Sequence, residues 1–202
     1  MSFDLLVALV MFAFAGSITP GPNNTMVLAS SVSFGFRRTI PHMLGISVGF
    51  SLMLILVGLG LAQAFERLPM LYTILKYAGA LYLLWLAWKI GSSGVMKDGA
   101  ASGKPLTFLQ AAAFQWVNPK AWVLSIGAVA AYTVQDHFVF SVLLTALVFG
   151  VINLPTISIW AAFGIGLRRV LKDERAVRYF NLTMAALLVA SLWPVLKDAI
   201  SQ

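Results

Sequence analysis

The sequence predicts an all-α integral membrane protein of six transmembrane helices. They form two inverted three-helix repeats, with helices 1 and 4 broken at proline motifs. Three observations predict this. Of 202 residues, 60% are hydrophobic and only 10% charged, against roughly 45–50% and about 25% in a soluble domain. The apolar residues gather into six stretches of 18–30 residues, each long enough for the ~20-residue span of a bilayer (about 17–25). The basic residues between those stretches fall mainly in alternate loops. A soluble enzyme, a nucleic-acid-binding domain and a disordered protein are all disfavoured. The net charge of +7, which in a soluble protein points to nucleic acid, here reports membrane topology. With no cysteine, disulfides and thiolate metal sites are excluded.

The first stretch covers 5–33. Ala13-Phe14-Ala15 imitates a signal-peptidase site, but Met1-Ser2-Phe3-Asp4 carries no basic residue and one acid. That is the wrong sign for an n-region, and the segment reads as a retained first helix. Gly35-Phe36-Arg37-Arg38 precedes the second stretch, 40–65. Glu66-Arg67-Leu68-Pro69 leads to the third, 70–90. The longest connection, 91–105, is rich in Gly, Ser and Lys and joins the halves. The fourth stretch covers 106–132, the fifth 138–167 and the sixth 179–196. None alternates as a membrane strand does. The organisation is one transmembrane domain, 1–202, with repeats over about 1–92 and 106–202.

Ten basic residues lie in the 1–2, 3–4 and 5–6 loops: Arg37, Arg38, Lys89, Lys97, Lys104, Arg168, Arg169, Lys172, Arg175 and Arg178. The opposite side holds two, Arg67 and Lys197. The positive-inside rule puts the basic loops in the cytoplasm and both termini in the periplasm. Trp85, Trp88 and Trp193 near span ends fit an aromatic belt.

Thr19-Pro20-Gly21-Pro22-Asn23-Asn24 interrupts span 1, and Gln115-Trp116-Val117-Asn118-Pro119-Lys120 interrupts span 4. Pro20 and Pro119 are about half the chain apart. Paired breaks in corresponding helices point to a transport site at the repeat interface; the plainer reading is two proline kinks. Pro20 and Pro22 lack N–H groups and free carbonyls a turn earlier. Gly21 lets a ligand approach the backbone. Asn23 and Asn24 supply donors and acceptors, and the half-helix after Pro22 presents free N–H groups to an anion. A carboxylate suits that end and an ammonium suits the freed carbonyls; an amino acid has both. Asn118, Pro119 and Lys120 give span 4 the same capability. A lysine at mid-membrane costs ~2.5–3.5 kcal/mol, so Lys120 faces a cavity and pairs with a carboxylate or with carbonyls; a structural lysine capping freed carbonyls is the alternative. Gln115, one turn before Asn118, is a secondary candidate. Asn153, in the polar break Asn153-Leu154-Pro155, lines the same cavity or only marks a kink. Lys76 lies near the outer end of span 3 and snorkels.

All seven acids lie in loops or at span ends. A carrier of dibasic substrates would be expected to hold a buried counter-charge, so neutral substrates are favoured. Lys120, His42 and Asp4 are the titratable candidates for a proton relay. Gly45-Ile46-Ser47-Val48-Gly49 matches the nucleophile-elbow pattern G-x-S-x-G, which needs a strand-turn-helix. Inside a membrane helix it reads as small-residue packing. Two histidines and no cysteine speak against a transition-metal site.

Ser17-Ile18-Thr19-Pro20-Gly21-Pro22-Asn23-Asn24 resembles the first-helix signature of the LysE/RhtB family of amino-acid exporters. Gly35-Phe36-Arg37-Arg38, the run from Lys76 to Lys89 and Asn118-Pro119-Lys120-Ala121-Trp122 extend the resemblance over nearly the whole chain. In the sixth span Asn181 matches a common Asn, whereas Met184 stands near a position where the family has glycine. The resemblance implies efflux of an amino acid or a derivative across the bacterial inner membrane, with protons as the coupling ion and no cofactor. The bilayer is the other partner, and a homo-oligomer is allowed. The alternative is a passive pore for a small solute.

Overall fold

The computed structural model describes residues 1–61, 69–92, 104–170 and 174–191. The predicted turn around Glu66 and Arg67, most of the central linker and the C-terminal stretch with Trp193 and Lys197 lie outside the described residues. So does the side chain of Lys76.

Among the described residues there are eight α-helices and no strand. They are α1 (Phe3–Ile18), α2 (Pro22–Phe34), α3 (Phe36–Leu56), α4 (Pro69–Gly91), α5 (Phe108–Phe114), α6 (Pro119–Tyr132), α7 (Phe138–Val170) and α8 (Glu174–Ala190). A π turn, Val57–Leu61, extends α3, and 3-10 turns cover Gln115–Val117 and Gln135–His137. Local chemistry sets the ends. Ser2 caps α1 by accepting from the Leu5 N–H at 3.3 Å. Gly35, at φ +85°, turns the chain from α2 into α3 in one residue, a conformation that favours glycine. Thr107 and Gln110 form a reciprocal capping box at the start of α5.

Among the described residues the outside is apolar, and many polar side chains are buried beside the apolar core, as suits a lipid setting. Along α7, Leu143, Leu147, Val151, Ile159 and Phe163 are exposed. Asn24, Ser30, Thr39, His42, Gln115, Asn118, Thr145 and Asn153 are buried. The segments Phe36–Gly60 and Gln135–Arg168 are each long and apolar enough to cross a bilayer. The pair α1 and α2, bent by 54°, makes a third by length and composition.

Helix α7 organises the bundle, packing against α1, α2 and α3. At 33 residues it is about 50 Å long. Phe149 on α7 and Phe50 on α3 pack 5.1 Å apart by ring centroid in the core. The Ser51 hydroxyl donates to the Ala146 carbonyl at 3.0 Å, tying α3 to α7. Helices α3 and α5 touch backbone to backbone. A Cβ on Gly45 would run into the Phe108 carbonyl, and one on Gly49 would lie 2.9 Å from the Ala112 Cβ. These glycines of the G-x-S-x-G segment serve helix packing.

Several expected boundaries shift. Helix α3 begins at Phe36 and takes in Arg37 and Arg38, because arginine is a good helix former. For the same reason α7 runs on to Val170 and α8 starts at Glu174, which shortens the predicted basic loop. Asn153-Leu154-Pro155 does not break its helix: α7 is continuous through Pro155. Just after it the hydroxyls of Thr156 and Ser158 donate back to the carbonyls of Ile152, Asn153 and Leu154 within the same helix.

Candidate functional site

The two breaks meet. Helix α1 ends at Ile18 and α2 begins at Pro22; the stretch before α6 ends at Asn118, and α6 begins at Pro119. The prolines in equivalent places are Pro22 and Pro119, each in the first turn of its half-helix, where a missing N–H costs nothing. Pro20 has a different role: it lies in the crossing between α1 and α2 and offers its carbonyl.

A helix C-terminus leaves its last carbonyls unpaired, and at the end of α1 side chains from four elements take them. The Thr19 hydroxyl donates to the Gly16 carbonyl at 3.1 Å. Asn24 Nδ2 donates to the carbonyls of Ser17 and Thr19, both at 2.9 Å. Trp160 Nε1 on α7 donates to the Ile18 carbonyl at 3.1 Å. Lys120 Nζ donates to the Thr19 carbonyl at 2.6 Å and the Thr19 hydroxyl at 2.8 Å, with the Pro20 carbonyl at 3.4 Å. The carbonyls expected to await a ligand's ammonium are therefore held by Lys120 and Asn24. Of the two partners foreseen for Lys120, backbone carbonyls are the ones present, and they belong to the other half of the chain. Gly21 makes room: a Cβ there would lie 2.9 Å from Lys120 Cδ and 3.3 Å from its Nζ.

A second bridge joins the breaks. Asn23 Nδ2 donates to Gln115 Oε1 at 2.9 Å, and Gln115 Nε2 donates back to Asn23 Oδ1 at 3.1 Å. Gln115 is fully buried and also donates to the Ala111 carbonyl at 3.0 Å.

The two half-helix N-termini differ. Asn118 caps α6, its Oδ1 accepting from the Lys120 N–H at 3.1 Å. Helix α2 starts from Gly21, which has no side chain to cap it. The first-turn N–H groups of α2 thus keep the anion-binding character of an open helix start.

These groups surround one pocket with about 390 Å³ of empty space, its mouth included. Gly21, Asn23, Asn24, Asn118, Lys120 and Asn153 line it. Gln115 stands behind Asn23, Pro22 and Pro119 start the half-helices, and the Pro20 carbonyl faces Lys120. Asn153 reaches the pocket from an unbroken α7. Its apolar wall comes from Phe50, Phe149 and Leu124, which carry no sequence signal because they resemble every other core residue. Thr19 and Trp160 were also not foreseen as partners; the position of Thr19 inside the proline motif is the one available hint.

The basic residues gather at the far end of α2. Lys89 and Lys104 line a second cavity with Ser33 and Phe34, and Arg168 approaches Gly35 to 3.4 Å from where a Cβ would stand. Lys89 Nζ also lies 5.3 Å from the centre of the Trp85 ring.

Known proteins agree with this picture. Residues 14–191 match the family described as LysE type translocator. The chain is 32% identical over 191 residues to the cysteine/O-acetylserine efflux protein of Escherichia coli, covering 94% of this chain and 96% of that one. The protein of the same name from Shigella sonnei matches equally, at 32% over 191 residues with the same coverage. No solved structure matches the chain. The apolar bundle with its buried polar residues, the facing breaks and these full-length matches together make the chain a member of the LysE type translocator family, a membrane transport protein and not an enzyme.

Proposed function

We propose that this protein exports a small neutral amino acid or amino-acid derivative across the bacterial inner membrane by alternating access, coupled to protons. Six spans in two inverted three-helix halves form a single domain. The basic end faces the cytoplasm and both termini face the periplasm, as the loop charges favour.

One observation carries the reading. Lys120, at the start of one half-helix, is bonded to the carbonyl and hydroxyl of Thr19 at the end of the other. A zwitterion can replace both sides of that contact. Its carboxylate binds the open start of α2 and draws the Lys120 ammonium toward it. Its own ammonium takes the place of Lys120 against the Thr19 carbonyl. The exchange conserves charge, so it avoids leaving a bare ion in a low-dielectric site. It also releases one of the links between the two halves, leaving the Asn23–Gln115 pair as another, and so eases their rocking about the pocket.

Charge supports a neutral solute. Among the described residues the pocket lining carries one ammonium and no carboxylate, so a second positive charge on the solute finds no partner there. Cysteine and O-acetylserine, which name the relatives' cargo, have the required form.

Counterflow in proteoliposomes tests this. Vesicles loaded with unlabelled O-acetylserine or cysteine should accelerate uptake of the labelled solute, and Lys120→Ala should abolish the acceleration. Uncoupled flux without counterflow would favour a passive pore.

A further inference from the structure

We propose that the second cavity, at the basic end of the bundle, is an oxyanion-binding vestibule that receives the solute's carboxylate before it moves along α2 to the broken helices. This rests on the export reading above. The cavity lies between the C-terminal half of α2, the start of α3 and the end of α4, with about 370 Å³ of empty space. Its lining includes Ser33, His42, Lys89 and Lys104.

His42 is the observation that asks for a ligand. It is 1% exposed, yet neither Nδ1 nor Nε2 has a hydrogen-bond partner in the protein. Buried polar atoms are nearly always paired, and a neutral imidazole always has one N–H to donate. The neighbours decide what it donates to. Lys89 and Lys104 bring two ammonium groups to the same cavity, and no acid lines it among the described residues. Ser33 accepts from Asn181 Nδ2 at 3.5 Å, so its own hydrogen can point to a ligand. Ser30, by contrast, is committed: Thr39 Oγ1 donates to the Gly35 carbonyl at 2.9 Å, so the Ser30 hydroxyl must donate to Thr39 at 3.0 Å. Donors from an imidazole, a hydroxyl and the Lys104 ammonium, with no carboxylate among the described lining residues, select an oxyanion.

The position suits a first stop. Met26, Ala29 and Ser33 of α2 line this cavity, and Asn23 and Asn24 of the same helix line the pocket at the break. Asn24 to Ser33 is a rise of about 14 Å along one helix. The lysines raise the local concentration of an anionic group at the cytoplasmic side, and the solute then passes to the uncapped start of α2.

The shared chemistry is a carboxylate or a phosphate, and a lipid headgroup is the competing source. Imidazole ¹⁵N NMR on the full-length protein in a zwitterionic detergent separates them. The two histidines of the chain are assigned with His42→Leu. Acetate should shift the His42 signals and leave His137 unmoved. If acetate has no effect and only nanodiscs containing phosphatidylglycerol shift them, the cavity is a lipid site and the proposal falls. If neither acts, it is water-filled and the proposal falls as well. Transport gives the second readout. In inside-out vesicles, Lys104→Ala, an exposed position, and His42→Leu should each raise the KM for O-acetylserine at the cytoplasmic face at least about tenfold, the loss of one charge-assisted hydrogen bond. The kcat measured from the cytoplasmic face should hold. Unchanged cytoplasmic KM in both variants would overturn the vestibule while export stands. Wild-type vesicles that carry no amino acid would sink the export reading instead, and the acetate titration would still decide whether the cavity binds oxyanions.

Discussion

Lys120 Nζ lies 2.6 Å from the carbonyl oxygen of Thr19, so the first turn of α6 supplies the cation that closes the last turn of α1. The two residues belong to opposite halves of the chain. The contact serves both as a cap on a helix end and as a clasp across the pocket, and the two roles respond differently to substitution.

Lys120→Arg tests geometry against charge. The guanidinium keeps the charge but is planar and broad, whereas the site is a compact fork of carbonyl and hydroxyl beside Gly21. Exchange should fall at least about tenfold. Thermal unfolding of the same variant should show a loss of only ~0.5–1.5 kcal/mol, the net worth of one hydrogen bond, because these bonds are not buried. Wild-type exchange by Lys120→Arg would mean that charge alone suffices.

Gly21→Ala should hinder the same clasp from the other side. The new methyl would lie 2.9 Å from Lys120 Cδ, and the lysine, a flexible chain, moves aside. Stability should change by less than ~1 kcal/mol, since the side chain yields and the backbone at Gly21 is extended. Exchange should drop about tenfold, read as kcat/KM in vesicles.

The reciprocal amide pair of Asn23 and Gln115 suits a double-mutant cycle. Asn23→Ala and Gln115→Ala should each destabilise by ~1–3 kcal/mol, because each strands the other amide. The double variant should cost less than their sum by ~0.6–1.7 kcal/mol, the range seen for membrane hydrogen bonds. Strict additivity in thermal unfolding would show that the pair is not coupled.

Gly49→Leu should be more damaging than Gly21→Ala in the pocket. Helix α5 backbone stands against Gly49, and backbone cannot step aside as a lysine does. Overpacking of this kind costs ~1–3 kcal/mol or more. The check is the yield of monodisperse protein in detergent, which should fall well below that of Gly21→Ala.

The sequence by itself determined the class and the places where helices stop. Sixty per cent apolar residues with so little charge leave no soluble solution, and that argument needs no coordinates. The breaks were equally legible, because a proline at Pro22 or Pro119 starts a helix and an Asn at 118 caps one by local chemistry alone. Pro155 shows the limit of that rule: the same residue type sits inside an unbroken α7, where packing against α1, α2 and α3 holds the helix together.

Tertiary structure decided the pairings. Lys120 with Thr19, Asn23 with Gln115 and Trp160 with Ile18 join residues 92 to 142 positions apart. No local propensity encodes such separations; they follow from which helix faces meet. The same holds for Phe50 and Phe149 in the pocket wall, and for His42, an ordinary polar residue in sequence whose unpaired nitrogens appear only once α2, α3 and α4 close around it. Local chemistry tells where a chain must break, and packing alone tells what each broken end will touch.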